Sequence, residues 1–369
     1  MSSSALEELF RGLVFYGTGG GGRAEAGLAL LRGHFGADWT PRFTAPADLP
    51  PESHACATIV IGGRDPDKDI PIALRAALNV PEADLAIPLR FARAVQALER
   101  ATGTEIAALA VVELGSLAMA ATLVAADMLG KAVLDCDGTG RSIPELGLAK
   151  LDLVGLSPAP AALVDRFGNE TVLLTTSGAS MTDRLARQIN AAVYGRGLAC
   201  AGYLAPLSAF AAGLVPGSVA TAQEIGTILS GTGEVSQRLE ALFARTGGRL
   251  LFKGTTTKVH WRSAEPYRFR DLDYYFAGLD GNAGDSFRIW VKNEHHLVWR
   301  SDELIASSPD PIAVLDASTL EPLTTLGDVE PGREVVAVVV PALDAIWRTP
   351  AGIERLGPAR LGFEAGRSE

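Results

Sequence analysis

The chain has 369 residues, of which 47% are hydrophobic and 21% are charged, and its formal net charge is -10. This length exceeds what one hydrophobic core usually serves, so we expect two domains. The acidic balance argues against nucleic acid or an anionic membrane as a partner, because both bind basic surfaces.

The three cysteines, Cys56, Cys136 and Cys200, lie far apart and form no Cys-x-x-Cys pair. This usage is typical of a reducing compartment, so we expect a cytoplasmic protein without disulfides. The first residues carry no basic segment and predict no signal peptide. The longest apolar stretch, 106–129, contains charged residues and predicts a strand and a helix instead of a membrane span.

The first part of the chain alternates helices with apolar strands. A helix is predicted from Ser2–Ser4 to Val14, a glycine-rich loop at 17–22, helices at 24–34, 88–102 and 117–129, and strands at 57–61, 106–112 and 132–134. A strand, a crossover helix and a second strand form a unit whose strands are parallel. We therefore predict an α/β domain with a parallel sheet over residues 1–160.

The remainder is richer in short alternating segments, which are typical of antiparallel strands. Strands are predicted at 171–174, 249–253, 257–261, 287–291, 296–299, 312–316 and 335–340, with helices at 182–194, 222–229 and 235–246. These elements predict a β-rich α+β domain over residues 161–369.

Ionisable side chains follow two strands of the predicted parallel sheet. Glu113 follows the second strand, whereas Asp135, Asp137, Arg141 and Glu145 all follow the third. Because ligands bind at the carboxyl ends of parallel strands, we expect Glu113 and Asp135 to share one pocket. The alternative is that Glu113 caps the next helix and the aspartates only shape a turn.

The loop Gly17-Thr-Gly-Gly-Gly-Gly22 matches the pattern G-x-G-x-x-G and opens a helix. Backbone N–H groups at such a position can hold an anion. A dinucleotide site also requires a preceding strand and a later acidic residue at a strand end, but a helix precedes this loop and Asp38 lies in a loop. The pattern therefore favours an oxyanion- or carboxylate-binding loop, with a flexible turn as the alternative.

The segment Val133-Leu-Asp-Cys-Asp-Gly-Thr139 resembles the first motif of haloacid-dehalogenase-type phosphatases. There the first Asp attacks phosphorus, the second is the acid and base, and Mg²⁺ binds between them. That motif usually lies near the N-terminus, and the family's later lysine and paired aspartates do not follow here in order. A Mg²⁺-dependent phosphatase is therefore kept as an alternative function.

Cys136 is a candidate nucleophile, because a thiolate is strongly nucleophilic. Strand alternation turns it away from Asp135 and Asp137, and a small buried filler is the alternative interpretation. The histidines show no zinc-binding spacing. A hard cation on these aspartates, Glu113 or Glu145 is chemically reasonable but is not demanded by the spacing, so we predict no cofactor.

Several longer motifs occur together in one order. They are Phe15–Gly22, Glu113–Ser116, Asp135–Leu146, Gly168-Asn169, Asn293-Glu294, Pro309–Asp316, Ile346–Pro358 and Leu361–Phe363. Over nearly its whole length the chain resembles the S-methyl thiohydantoin desulfurase family, which is often met beside hydantoinase-type proteins. It departs from the usual family pattern at Ser116, where Gly is common, at Cys136, where Ala is common, and at Gly62–Pro66, where Met-Gly-x-Pro is usual. These departures lie at the predicted strand ends, so the resemblance does not fix which substrate of the family this chain takes.

The resemblance implies an enzyme that hydrolyses a 2-methylthio-imidazolone ring at C2, releasing methanethiol and leaving a hydantoin. Such a step belongs to the breakdown of S-methylated, ergothioneine-like compounds. On this hypothesis Cys136 attacks C2, Asp135 or Asp137 protonates the ring nitrogen or activates water, and Glu113 holds the ring N–H groups.

The same hypothesis assigns the substrate-binding residues. The glycine loop with Arg141 or Arg64 binds a propionate tail; the full set is Thr18, Gly19, Gly20, Gly21, Arg64, Arg141 and Glu145. We expect a small-molecule substrate and a homo-oligomer. A non-catalytic partner subunit of a hydantoinase is the alternative from a different class.

Overall fold

The computed structural model describes residues 3–64, 69–262 and 269–363, without the side chains of residues 3, 4, 63 and 64. The helices are α1 (Ser3–Tyr16), α2 (Ala24–Phe35), α3 (Ile72–Ala77), α4 (Ile87–Thr102), α5 (Ser116–Leu129), α6 (Lys150–Leu153), α7 (Ala179–Ala192), α8 (Leu207–Phe210), α9 (Ser218–Ser230), α10 (Val235–Thr246) and α11 (Pro350–Leu356). The strands are β1 (His54–Arg64), β2 (Ile106–Val111), β3 (Ala132–Asp137), β4 (Ala161–Val164), β5 (Glu170–Leu173), β6 (Arg196–Pro206), β7 (Val215–Pro216), β8 (Arg249–Trp261), β9 (Asp271–Gly278), β10 (Ser286–Lys292), β11 (Glu294–Arg300), β12 (Glu303–Ser307), β13 (Ile312–Asp316) and β14 (Glu334–Val339).

The first sheet has the strand order β5-β4-β6-β1-β2-β3-β7. Its centre is parallel, since β2 pairs in parallel with both β1 and β3. The crossover helix α5 is apolar on most of its surface and ends at Gly130 in the left-handed conformation, as the sequence predicts. The predicted fold class, a parallel-sheet α/β region followed by a β-rich region, is therefore confirmed.

Antiparallel strands flank this parallel centre. Strand β6 runs antiparallel to β1, and β7 runs antiparallel to β3. The sequence analysis missed β4 and β6 because they are rich in Ala and Gly and show little alternation of polar and apolar residues. Strands β4 to β7 belong to the first sheet although they lie after residue 160 in the chain. The predicted division into two domains at residue 160 stays a prediction.

The second sheet is antiparallel, with the order β12-β11-β10-β9-β8-β14-β13. Strand β8 is continuous where the sequence predicts two strands, 249–253 and 257–261. Its pairing with β9 shifts register between Thr256 and Lys258, and such an irregularity interrupts the period-2 pattern that marks a strand. Within the described residues, no helix has the length and apolarity that crossing a bilayer requires.

The loop after α1 joins the two sheets. The carbonyl oxygen of Thr18 accepts the N–H of His295 at 2.7 Å, that of Gly19 accepts the N–H of Thr325 at 2.8 Å, and that of Gly21 accepts the N–H of Leu117 at 3.0 Å. Backbone groups of both halves thus hold the loop. Three buried charged residues, Glu113, Arg141 and Glu294, lie near this junction.

Candidate active site

A pocket of about 250 Å³ opens at the junction between the strand ends of the first sheet and the start of β11. Its charged lining residues come from both halves of the chain: Glu113, Glu145, Asp183, Arg187, Arg196, Arg270 and Glu294. Residues of β1 and the apolar side chains of α5 also line it. A concave site with convergent charges is the usual setting for binding or catalysis.

Two buried carboxyl groups face this pocket. Glu113 follows β2 and is 8% exposed, and Glu294 opens β11 and is 3% exposed. Oε2 of Glu113 accepts the backbone N–H of Ile143 at 2.6 Å. Oε2 of Glu294 is buried and has no hydrogen-bond partner among the described residues. The two groups therefore differ in how well their surroundings stabilise a negative charge.

Burial raises the pKa of both carboxyl groups above the usual range. The charge of Glu113 raises the pKa of Glu294 further, whereas the Ile143 N–H lowers that of Glu113. Two carboxyl groups in one buried site do not readily ionise together, because like charges repel in a poorly solvated environment. We expect the pair to hold one proton, with Glu113 ionising first because of its backbone donor.

Arg270 supplies a half-buried cation to the pocket. Burial lowers the pKa of its guanidinium group, whereas the charge of Glu294 raises it and favours the ionised form. The other cations at the pocket are neutralised: Arg187 pairs with Asp183 at 2.6 Å, Arg196 with Asp69 at 2.8 Å, and Lys292 with Glu145. Arg270 is thus the group best placed to meet an anion on a ligand.

The glycine loop contributes its backbone to the pocket. Gly20, Gly21 and Gly22 line it, whereas Thr18 and Gly19 lie behind and make the backbone contacts described above. A Cβ on residue 20 would lie 2.0 Å from Oε1 of Glu294. Gly21 has φ +71°, and a Cβ there would lie 2.7 Å from the Cα of Gly115. These glycines are required for close packing, which a flexible turn does not demand.

The structure places Asp135, Cys136 and Asp137 away from this pocket. Oδ1 of Asp135 accepts the N–H of Ala220 at 3.0 Å, in the first turn of α9. Oδ2 of Asp137 accepts the N–H groups of Thr139 and Gly140 at 2.9 and 2.6 Å. The partners of Asp137 match the alternative interpretation, in which the aspartates shape a turn, and Asp135 in addition binds the first turn of α9. The expectation that Asp135 shares the pocket of Glu113 does not hold geometrically.

Cys136 belongs to the hydrophobic core. It is 0% exposed, packs in a cluster with Leu134 and Ile143, and pairs through β3 with Pro216 of β7. Burial raises the pKa of its thiol, and the charges of Asp137 and Asp135 raise it further. A buried thiol with a raised pKa is a poor nucleophile, so the placement gives no geometric support to a covalent step at this residue.

Arg141 is a structural link between the halves. Its guanidinium group donates to the carbonyl oxygens of Ser142, His295 and Asp310 and to Oγ1 of Thr18, at 2.9–3.1 Å. These four contacts use most of the N–H donors of the guanidinium group, so few are left to bind a substrate.

Glu145 does line the pocket, but it pairs with Lys292. Arg64 ends β1 and its side chain lies outside the described residues, as does part of the motif Gly62–Pro66.

Sequence reasoning missed Glu294 and Arg270 as site residues, although Asn293-Glu294 is one of the motifs that carry the resemblance. Asn293 has φ +60°, lines the pocket, and its Oδ1 accepts the backbone N–H of Arg270 at 2.8 Å. An Asn between two strand-forming segments is a signal for such a left-handed turn. It could have marked this strand start as a candidate site.

The described residues include no group of three or more His, Cys, Asp and Glu side chains arranged to hold a metal ion. Asp135 and Asp137 have separate backbone partners, so they do not present the paired carboxylates of the phosphatase motif. The geometry therefore gives no specific support to the phosphatase alternative.

Comparison with known proteins agrees with the fold. A crystal structure of a protein from Chromobacterium violaceum superposes with a TM-score of 0.75 at 21% identity, covering 100% of this chain and 98% of that chain. No curated protein gives a significant match. Family models described as the N-terminal and C-terminal domains of S-Me-THD-like proteins match residues 4–175 and 177–367. With both domains present in order, the chain belongs to the S-Me-THD-like family.

Proposed function

We propose that this protein is a hydrolase that cleaves the C2 thioether of a 2-methylthio-imidazolone or hydantoin ring bearing a propionate, releasing methanethiol and leaving a hydantoin. Family membership supports the substrate class. The observation that carries the proposal is the pair Glu113 and Glu294, two buried carboxyl groups with raised pKa values at one pocket. Perturbed acids that converge in a cleft are typical of catalytic sites.

The reaction needs one base and one acid. The oxygen of a water molecule bonds to C2 while a ring nitrogen takes a proton, which gives a tetrahedral intermediate. The C–S bond then breaks, the hydroxyl group on C2 gives up its remaining proton and becomes the carbonyl, and the departing thiolate takes the first proton that the water gave up. Positioned acids and bases accelerate such proton transfers about 10²- to 10⁴-fold each.

We assign these roles from the surroundings of the two carboxyl groups. Glu113, whose Oε2 accepts the Ile143 N–H, is the carboxylate that takes the proton from water. Glu294, whose Oε2 has no donor among the described residues, keeps the proton that it gives to the ring nitrogen. When the C–S bond breaks, the hydroxyl proton of the intermediate goes to the ionised Glu294, the proton held by Glu113 goes to methanethiolate, and the site returns to its starting state.

Direct attack by water is preferred to a covalent intermediate on Cys136, because that thiol is buried in the core and outside the pocket. Arg270 binds the propionate carboxylate in place of the sequence-predicted Arg141, whose donors are used within the protein. A guanidinium group suits this role because it matches a carboxylate in shape and charge.

Thiol release by the purified chain alone tests the proposal. The 2-methylthio substrate with a propionate is incubated with the protein, methanethiol is measured with a thiol reagent, and the hydantoin is measured by mass spectrometry. In H₂¹⁸O the label should enter the hydantoin carbonyl. Thiol release only after a hydantoinase is added would support the partner-subunit alternative, and Mg²⁺-dependent phosphate release from esters would support the phosphatase.

A further inference from the structure

We infer that His296, held by Ser308, is a positioning residue for Glu294: its Nε2–H donates to Oε2 of Glu294 when that carboxyl group loses its proton. This inference rests on the proposed acid role of Glu294. It concerns a pair of residues, His296 and Ser308, to which neither the motifs nor the family match assigns a role.

The three side chains form a line that leads away from the pocket. Oγ of Ser308 lies 3.2 Å from Nδ1 of His296, and Nε2 of His296 lies 4.0 Å from Oε2 of Glu294. Ser308 and His296 are 0% exposed and Glu294 is 3% exposed. Both Nε2 and Oε2 are without a hydrogen-bond partner among the described residues. Two buried polar atoms that face each other unpaired each cost stability, and a bond between them would remove both penalties.

The partner at Nδ1 permits Nε2 to be the donor. A serine hydroxyl can both donate and accept, and when it donates to Nδ1 the proton of the neutral ring lies on Nε2, facing Glu294. The neighbouring His295 shows the opposite arrangement, because its Nδ1 lies 3.2 Å from the carbonyl oxygen of Ile312, which only accepts. His295 must therefore carry its proton on Nδ1. Of the two adjacent histidines, only His296 is free to present an N–H to the carboxyl pair.

The ring stays neutral in this environment. Burial lowers the pKa of His296, and the charges of Arg141 and Lys292 and the neighbouring His295 lower it further, whereas the backbone carbonyl of Lys292 acts in the opposite direction. A neutral donor can stabilise the carboxylate that forms when Glu294 gives up its proton. It does so without adding a positive charge that would hold Glu294 ionised from the start.

Removal of His296 should shift the pH profile of kcat/KM in a defined direction. The charges that act on Glu294 are those of Glu113, which raises its pKa, and of Arg141, Arg187 and Arg270, which lower it. A hydrogen bond from His296 also lowers it, because the bond favours the ionised form. Removing His296 therefore raises the pKa of Glu294, and the alkaline limb of the kcat/KM profile, where the acid loses its proton, moves to higher pH.

The test compares His296→Phe, His296→Gln and Ser308→Ala with the unmodified chain. His296→Phe should lower kcat about 10- to 100-fold with KM nearly unchanged, since the bond forms mainly as charge develops. His296→Gln keeps an amide N–H near the position of Nε2 and should restore much of the loss. Ser308→Ala, the smaller change, should give a partial loss with the same shift of the alkaline limb. His260→Gln, at an exposed histidine of β8, controls for general effects of removing an imidazole.

Equal losses in the Phe and Gln variants with an unchanged pH profile would overturn the inference and leave a packing role. So would normal kcat in His296→Phe. A titration of ¹³C-labelled glutamate, followed by NMR with Glu294→Gln for assignment, measures the same pKa shift without turnover. If the chain releases no thiol but this shift is present, the proposed reaction fails while the positioning role stands.

Discussion

Gly20 packs directly against the carboxyl group of Glu294 at the junction of the two sheets. Oε1 of Glu294 lies 2.0 Å from the position that a Cβ on residue 20 would occupy. Only a residue without a side chain lets the loop approach the carboxyl group so closely. The loop that resembled an anion-binding motif thus packs against a buried acid.

Gly20→Ala should displace the Glu294 carboxyl group and lower kcat/KM at least 10-fold, because small displacements of a catalytic group are costly. Gly33→Ala is the matched control: no atom lies within 4 Å of a Cβ at that exposed position of α2, and the substitution should stabilise the protein by about 0.5–1 kcal/mol. The measurements are steady-state thiol release and thermal unfolding. Normal turnover in Gly20→Ala would show that the carboxyl position is not critical.

Glu113→Gln and Glu294→Gln should each lower kcat/KM by about 10²- to 10⁴-fold. Neither should lower the melting temperature, since each removes one of two groups whose ionisation is opposed by burial. Glutamine at 113 also retains an oxygen to accept the Ile143 N–H. Loss of activity together with loss of folding would instead indicate a structural role for the pair.

Cys136→Ala distinguishes attack by water from attack by the thiol. The variant should keep at least half of the normal kcat, because the thiol does not line the pocket. It should lose about 1 kcal/mol of unfolding free energy, as expected for a small cavity in a closed core. Kinetics and urea unfolding measure the two effects. An inactive but well-folded variant would favour the covalent route.

Burial raises the pKa of Asp137 to about 7, against an ordinary value near 3.9 in an unfolded chain. The folded state therefore binds more protons than the unfolded state between these values, and its stability falls as pH rises, by up to about 1.4 kcal/mol per pH unit. Asp137→Asn should abolish this contribution, so its unfolding free energy relative to the unmodified chain should be higher at pH 8 than at pH 5. Equal differences at both pH values would mean that Asp137 ionises normally.

Arg270→Gln should raise KM at least 10-fold for a substrate that carries a propionate, through loss of a charge-assisted hydrogen bond. A matched substrate with a neutral ethyl group in place of the propionate should be affected much less. The comparison of the two substrates isolates recognition of the anion from damage to the pocket. Equal effects on both would assign Arg270 to the pocket's structure or to Glu294.

Much of the fold was predictable from local pattern. Helices α4 and α5 and the parallel strands β2 and β3 lie where periodicity and the Gly130 helix end predict them. The same reasoning predicted that Glu113 faces a pocket, because ligands bind at the carboxyl ends of parallel strands, and Glu113 does line the pocket. Strands β4 and β6 were not found, since Ala- and Gly-rich segments carry little periodic signal.

By itself, the sequence determined the main helices and parallel strands of the first sheet, the family, and the presence of ionisable groups after β2 and β3. Only the tertiary structure decided which of those groups face one pocket. Pairing of β3 with β7 buries Cys136, and the start of α9 takes up Asp135, whereas the glycine loop brings Glu294 of the second sheet to the pocket of Glu113. The physical reason is that a carboxylate after a strand can either face a pocket or accept a backbone N–H at the start of a helix. Which of the two occurs depends on the elements that long-range packing places beside it.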